Sequence, residues 1–562
     1  MKRPQTDDEL VADILKRFSK LKSIRTIYEP VWREITDFAF PRLSNWDLQG
    51  TTVVKSKGFN SRAVEANKLQ SYGFLGYMVS RTKPWFRLRL PDTTAMRMPG
   101  VADWLEDVEL ALAAELARSN FYDQAAEFVP ILGSIGTSSM TMAEDSIVPG
   151  RALFNTRHPK EYWIQDGLSG RVETEMRQFR MIASAAMQLW GDKAPEDIRR
   201  KAEEDPYSYV QILHAVLPRE DWNPDSLLAK DKRFASYYIA LDSDDLIEEG
   251  GFDVFPHATA RWTKNADESY GYSPAFDALS DILRLNQVSR TQLELAQRIA
   301  DPPISAPETM RDTLRTSAGA KNFRLTENER IEPLQFGANY PVTLEVEQNI
   351  EKVINEHFNV DFYLMLAQLD RQMTAREVLE RKGEQSAVLG ATIGAFQTEF
   401  LTPVISWIYR KCVEWHRLPP PPPAIVEAGN HLDIEYTGYL AQLQRKYYAS
   451  SGISSALEVI FPIMQAFPES AINIDTDELI REAADAFGMP QKVIREIPEV
   501  QKIRQQQAAA AAQQQQQAMA MQTQQDVIKS AGNLNQPVQK GSPLAALLAQ
   551  AQGEQYGPPV AP

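Results

Sequence analysis

The chain has 562 residues, 43% of them hydrophobic, enough for several packed domains. Its single cysteine, Cys412, excludes an internal disulfide and a Cys-rich zinc site. A net charge of -15, from 60 Lys plus Arg against 75 Asp plus Glu, is the wrong sign for tight nucleic-acid binding, which needs a basic surface to displace phosphate counterions.

Residues 7–38 carry Leu10, Ile14, Leu15, Phe18, Leu21, Ile24 and Ile27 at helical spacing, then Trp32, Ile35 and Phe38 after Pro30, and are read as one long core-facing helix. No secretion signal is expected from this charged N-terminus, and no stretch approaches the ~20 apolar residues of a membrane span. A second helix is expected at 61–80, and Trp85-Phe86-Arg87-Leu88-Arg89-Leu90 alternates in strand fashion before Pro91. Residues 101–118 read as helix, and 121–142 as helix followed by a stretch punctuated by Gly133 and Gly136. No Lys-Ser/Thr follows these glycines, so they mark a turn or a close approach rather than a phosphate cradle. From 150 to 265, short apolar runs such as Tyr162-Trp163-Ile164 alternate with turn residues, the pattern of a mixed α+β region with hairpins.

Ser273 suits an N-cap, with Pro274 at the first helical position and Asp277 in the first turn. The helix is expected to run to Ala300, where Asp301-Pro302-Pro303 stops it, giving a rod of roughly 40 Å. Residues 301–342 form an irregular excursion. A return helix at about 343–358 then aligns Val346, Ile350, Val353, Ile354 and Phe358 on one face. Thr374-Ala375-Arg376-Glu377 reads as a capping box, in which the Thr374 hydroxyl and Glu377 carboxylate satisfy free amides at the start of a third long helix reaching about His416. Pro403 lies within that helix and is the reason to expect a kink. Pro419 to Pro423 should form a stiff polyproline linker and a domain boundary before a last helical region at 432–497. Residues 505–525 hold eleven Gln with Ala and Met, a helix-favouring tract unable to bury itself alone, and the chain beyond about 530 is expected to be disordered.

The sequence lacks a Walker-type loop, a Gly-x-Ser-x-Gly elbow and paired histidines, so neither catalysis nor a cofactor or metal is expected. Asp242, Asp244, Asp245, Glu248 and Glu249 are consecutive rather than convergent and read as solvated loop charge.

Several segments in fixed order resemble the head-to-tail connector (portal) family of short-tailed double-stranded-DNA bacteriophages, the podoviruses. They are Trp85-Phe86-Arg87-Leu88, Asn120-Phe121-Tyr122 with Gly133 to Gly136, Gly170-Arg171-Val172 with Arg177-Gln178-Phe179, Tyr270-Gly271-Tyr272-Ser273-Pro274 through Leu285-Asn286, Asp301-Pro302-Pro303, and Met373-Thr374-Ala375-Arg376-Glu377-Val378. The resemblance spans about residues 10–480. It implies a mainly α fold with an α+β wing, assembled as a ring, usually of twelve subunits, around a channel. The wing would be 1–270 with the long kinked helix 374–418, the stem helices 271–300 and 343–360, the clip 301–342 and the tunnel loop 361–373. After the linker 419–423 would come the crown, 424–497, then a possible barrel helix, 498–528, and a disordered tail, 529–562. The implied role is a homo-dodecameric conduit at one capsid vertex for packaging and ejecting double-stranded DNA. Its implied partners are the terminase large subunit, tail adaptor or nozzle proteins, and the major capsid and scaffolding proteins, with no membrane. The product would sit in the virion after assembly in the host cytoplasm.

Acidic walls would let DNA slide, whereas a basic lining would hold it. Arg311, Arg315, Lys321, Arg324 and Arg371 are the candidates to face DNA or docked partners; the alternative is exposed charge paired with Asp312, Glu327 and Glu329. Ser273, Pro274, Thr374, Glu377 and Pro403 are the candidate structural determinants. The rival readings are a packaging-associated ATPase or nuclease, and a helical scaffold or adaptor protein.

Overall fold

The computed structural model describes residues 6–47, 57–82, 84–91, 96, 98, 100–226, 228–306, 308, 311–312, 314–315, 317, 321–322, 331–333, 340–367, 389–427, 432–438, 462, 477, 480–481 and 497–532. It divides into two compact units, residues 1–489 and 490–562. Helix outweighs strand, 54% against 19%, so the fold is mixed with helix dominant.

The first expected helix is two. Helix α1 (Asp7–Arg25) is capped by Thr6, whose hydroxyl accepts from the Glu9 amide at 3.3 Å. The chain turns at Thr26–Tyr28 and restarts as α2 (Glu29–Ala39), because Pro30 at its start has no amide with which to continue α1. Next come α3 (Arg62–Met78), β1 (Phe86–Arg89), α4 (Val101–Arg118) and α5 (Phe121–Ile135). Gly136 ends α5 at φ +79°, and the chain leaves directly as strand β2 (Thr137–Glu144).

The region expected to be α+β comprises β3 (Ala152–Arg157), β4 (Tyr162–Asp166), β5 (Val172–Ile182), α6 (Ala183–Trp190), α7 (Glu196–Glu204), β6 (Tyr209–Pro218), β7 (Phe234–Ala240), β8 (Asp245–Phe252) and β9 (His257–Arg261). Strands β4 to β8 form an antiparallel meander in sequence order, while β3, β2 and β9 form a second sheet in that order. Alternation along β6 decides what covers the larger sheet. Leu213, Ala215 and Leu217 pack under α1 with its Leu10, Ile14 and Phe18, whereas Val210 and Ile212 pack against Ala186 and Trp190 of α6 and Ile198 of α7. Phe18 meets Trp163 edge-on at 4.9 Å. Burying each such large side chain contributes about 1.5–3 kcal/mol, so α1 is held by its apolar stripe rather than by intrinsic helix propensity.

The expected rod from Ser273 to Ala300 is a short turn, α8 (Pro274–Asp277), followed at Ala278 by the long α9 (Leu279–Ala300). Ser273 is at the N-cap, but its hydroxyl donates to the Ser134 carbonyl instead of accepting from the helix, because α5 ends beside it. Two-residue strands β10 (Ile304–Ser305) and β11 (Glu332–Pro333) pair antiparallel, and the return helix α10 (Tyr340–His357) follows. Asn359, at φ +51°, turns the chain into α11 (Val360–Ala367). The first part of the segment read as a loop at 361–373 is therefore helical, its Phe362 and Tyr363 buried in the main core. Residues 368–373, Thr374 and Glu377 lie outside the described residues.

Helix α12 (Gly390–Phe396) continues through a π-turn, Gln397–Leu401, into α13 (Thr402–Glu414). The irregularity expected at Pro403 thus falls just before it. The Thr402 amide reaches back five residues to the Gln397 carbonyl, and the extra residue accommodates a ring that cannot donate. After the proline run come α14 (Pro423–Glu427) and β12 (Asp433–Tyr436). Residues 433–436 were expected to be helical. They are a strand because β1 offers an open edge, which they fill in antiparallel register from Phe86↔Tyr436 to Arg89↔Asp433. The prolines do not end a compact unit: the Pro419 carbonyl accepts from Trp104, and Ile425 is buried in the same core as β1. The second unit contains α15 (Ile497–Gly532), 36 residues and about 54 Å long, covering the Gln/Ala tract.

Candidate functional site

Helices α9 and α10 form an antiparallel pair: His357 lies 3.9 Å from Asp281, while eight residues further along α9 the Ser289 hydroxyl donates to Glu347 at 2.7 Å. At the root, Ile282 and Leu285 pack against Ile350, Ile354 and Phe358, with Ile35 and Ala39 of α2 and Ala63 and Ala66 of α3 closing the cluster. Small residues on α3 let the pair approach closely. This apolar root holds the base of the two helices.

Midway out, the chain before α3 clamps both helices. The Asn60 side-chain amide donates to Ser289 Oγ at 3.2 Å, Glu347 Oε1 at 3.1 Å and Glu351 Oε1 at 3.2 Å. Its own carbonyl oxygen accepts from the Arg62 amide at 2.8 Å, which fixes which way the amide faces. The Phe59 amide donates to Asn286, and Arg62 Nε donates to Asn355 at 2.8 Å. Beyond the clamp more apolar side chains face solvent: Leu293 and Ile299 on α9 are 50% and 59% exposed, and Leu344 and Val346 on α10 are 42% and 38% exposed, with Val353 on the root side also at 38%. Apolar side chains on the outer half of the pair face solvent in the single chain.

The β10–β11 contact closes the neck of the excursion, and Arg311, Arg315 and Lys321 are exposed beyond it. Asn322 holds Arg315 by its backbone, accepting from the amide and donating to the carbonyl, both at 2.8 Å. These three candidates share one excursion. Arg324 and Arg371 lie outside the described residues.

A second polar centre anchors the kinked helix. The Arg261 side chain, 1% exposed, extends from β9 to Glu399 in the π-turn. Its backbone amide and Nε both donate to Glu399 Oε2, at 2.8 and 3.2 Å, while its terminal nitrogens reach Glu399 Oε1, Asp166 Oδ1 and the carbonyls of Ser269 and Gly170. Burial works against this cation, but the Glu399 and Asp166 carboxylates more than offset it and hold the guanidinium above its ordinary value. Lys264 adds a further contact to Asp166.

Sequence reasoning did not identify Asn60, Glu347, Glu351, Arg261 or Glu399. For Arg261 a signal exists: one cation in the small, apolar run His257-Ala258-Thr259-Ala260-Arg261 has to be paired if that strand is buried. Among the described residues, no helix is long and apolar enough to cross a membrane, and no group of three or more His, Cys, Asp or Glu side chains is placed to hold a metal.

Comparison with known proteins gives a consistent picture. The chain is 27% identical over 512 residues to the portal protein of Salmonella phage epsilon15, covering 88% of this chain and 90% of that protein. It is also 27% identical over 524 residues to the probable portal protein of Bordetella phage BPP-1, covering 89% and 91%. The model of the bacteriophage head to tail connecting protein family matches residues 11–494. The long helix, the excursion and the returning helix lie inside that match, and the chain belongs to the bacteriophage head-to-tail connecting, or portal, protein family.

Proposed function

We propose that the chain assembles as a closed ring, twelvefold by family expectation, at one capsid vertex and conducts double-stranded DNA during packaging and ejection. Family membership gives a structural virion component with capsid and tail partners. The observation that carries the ring is the outer half of the α9/α10 pair, where Leu293, Ile299, Leu344 and Val346 face solvent although the same pair is buried at its root. Identical neighbours around an axis would cover that apolar surface, and a rotation that closes limits the assembly.

In this reading α9 and α10 are the stem, 301–342 the clip, 361–373 the tunnel segment, 1–270 with 374–418 the wing, 424–497 the crown and 498–528 a barrel helix. Arg311, Arg315, Lys321, Arg324 and Arg371 face DNA or docked partners, the terminase large subunit first and tail adaptor or nozzle proteins later. Capsid and scaffolding proteins surround the ring as it assembles in the host cytoplasm. The net charge of -15 per chain disfavours tight phosphate binding, and the helical repeat of the duplex does not match a twelvefold ring, so passage is sequence-blind.

Electron microscopy of the purified protein tests the reading, with Leu293→Glu/Val346→Glu alongside. Rings with a central hole are expected for the native chain, and dispersed subunits with unchanged circular dichroism for the variant. Native protein that stays monomeric at every concentration, with procapsids lacking it still filling with genome, would overturn the proposal.

A further inference from the structure

The face of the larger sheet that carries Glu175, His214 and Tyr238 packs on the smaller sheet through a polar seam. Glu175 lies at its centre with a fully buried side chain. Its Oε2 accepts from the Ser139 hydroxyl at 2.7 Å and the Thr259 hydroxyl at 3.0 Å, and its Oε1 lies 3.2 Å from Nδ1 of His257. Every one of these contacts is to a group that is neutral when His257 is neutral.

The cations nearby are engaged elsewhere. On β3, Arg157 donates from Nε to Thr141, and on β5 itself Arg177 is paired with Glu161 at 2.9 Å. A buried carboxylate without a bonded cation is costly, and taking up a proton removes that cost. We propose that Glu175 is a proton-binding site built into the seam between the two sheets, the bound proton keeping the seam closed and its release placing a buried charge with no bonded cation between them.

The titration environment agrees. Burial pushes the Glu175 carboxyl up to about 7, against the opposing pull of the Ser139 and Thr259 hydroxyls and of Arg157 and Arg177. Burial pushes His257 of β9 down to about 3 and His214 of β6 well below its usual range, so both imidazoles stay neutral. The phenols facing the site, Tyr162 of β4, Tyr238 of β7 and Tyr270, are all raised by burial and stay protonated. Because the folded-state value of Glu175 lies above the ordinary 4.5, its contribution to stability is complete below that value and is lost as pH rises through about 7.

The test is infrared spectroscopy and thermal unfolding of the full chain between about pH 4 and pH 8.5, a range spanning both values. The native protein should show a protonated-carboxyl stretch that fades at the higher pH, and its unfolding midpoint should fall over the same interval. Glu175→Gln, which mimics the protonated form, should lose the Glu175 part of that band and flatten the midpoint against pH. Glu109, also pushed up to about 7 by burial, keeps its own band in both proteins, so their difference isolates Glu175. Identical bands, or midpoints falling in parallel, overturn the proposal. Should Glu175→Gln fail to fold, Ser139→Ala/Thr259→Val removes two donors that favour the charged form and should move the transition to higher pH; an unmoved transition overturns it as well.

Discussion

Arg261 shows how one side chain can organise distant parts of this chain. It gathers Asp166, 95 residues away, and Glu399, 138 residues away, around one guanidinium whose planar fork suits two carboxylates at once. Arg261→Met should cost about 3–5 kcal/mol in chemical denaturation, because it leaves Glu399 largely enclosed without its cation and Asp166 with Lys264 alone. Restoring the charge with Arg261→Lys should recover only part of the loss, since an ammonium cannot reproduce the bidentate geometry. Equal midpoints for the native protein and the Met variant would show the network to be incidental. The cation was visible in the sequence; its partners were not, because sequence separation carries no information about which acidic residues fold back to meet it.

At the scale of elements, helix and strand interiors were legible where periodicity was strong. The 3.6-residue repeat marked Leu10, Ile14, Phe18 and Leu21 and Ile350, Ile354 and Phe358, which are buried as expected, whereas Ile24, Ile27, Val346 and Val353 of the same expected faces are exposed. Junctions were harder, because they answer to neighbours. Gly136 is a case in point: it sits at φ +79°, and an added Cβ would lie 2.4 Å from the Gly271 carbonyl oxygen, a backbone atom that cannot swing aside. Gly136→Ala should therefore destabilise by at least ~2 kcal/mol in urea unfolding, whereas Gly100→Ala, with a similar φ and open space around it, should lose only the conformational part, about 1 kcal/mol. Equal losses at the two positions would mean that the close approach to Gly271 is not needed. Ser273 illustrates the same limit. Its residue type and Pro274 announced a helix start correctly, but the hydroxyl went to Ser134 because the end of α5 supplied a nearer acceptor. Pro403 likewise signalled an irregular helix, and the π-turn that displaced it upstream also carries the glutamate that meets Arg261.

For the whole molecule, the proline run proved a poor guide to where a folding unit ends. The chain crosses it and returns to the main core through Ile425 and β12, and Tyr436 reaches Thr402 with its hydroxyl at 2.6 Å. Truncation after residue 489 should leave a unit that unfolds at the same temperature as the full chain, because the removed residues 490–562 form their own compact unit. Truncation after residue 427 should lower the midpoint by several degrees by stripping β12 from β1, consistent with a loss of a few kcal/mol in a large domain. Differential scanning calorimetry of the two truncations distinguishes these outcomes, and equal midpoints would contradict the division.

The amino-acid sequence alone determined the helix, excursion and returning helix, the α+β character of the first half, the helical bias of the Gln/Ala tract and the family, since each follows from local periodicity, local turn chemistry or ordered motifs. Tertiary structure alone decided that residues 433–436 are a strand, that Asn60 clamps two helices, that Arg261 joins β4 to the kinked helix and that Glu175 is enclosed between sheets. Each of these depends on contacts between residues far apart in the chain, where burial makes an open strand edge or an unpaired charge costly enough to select its partner.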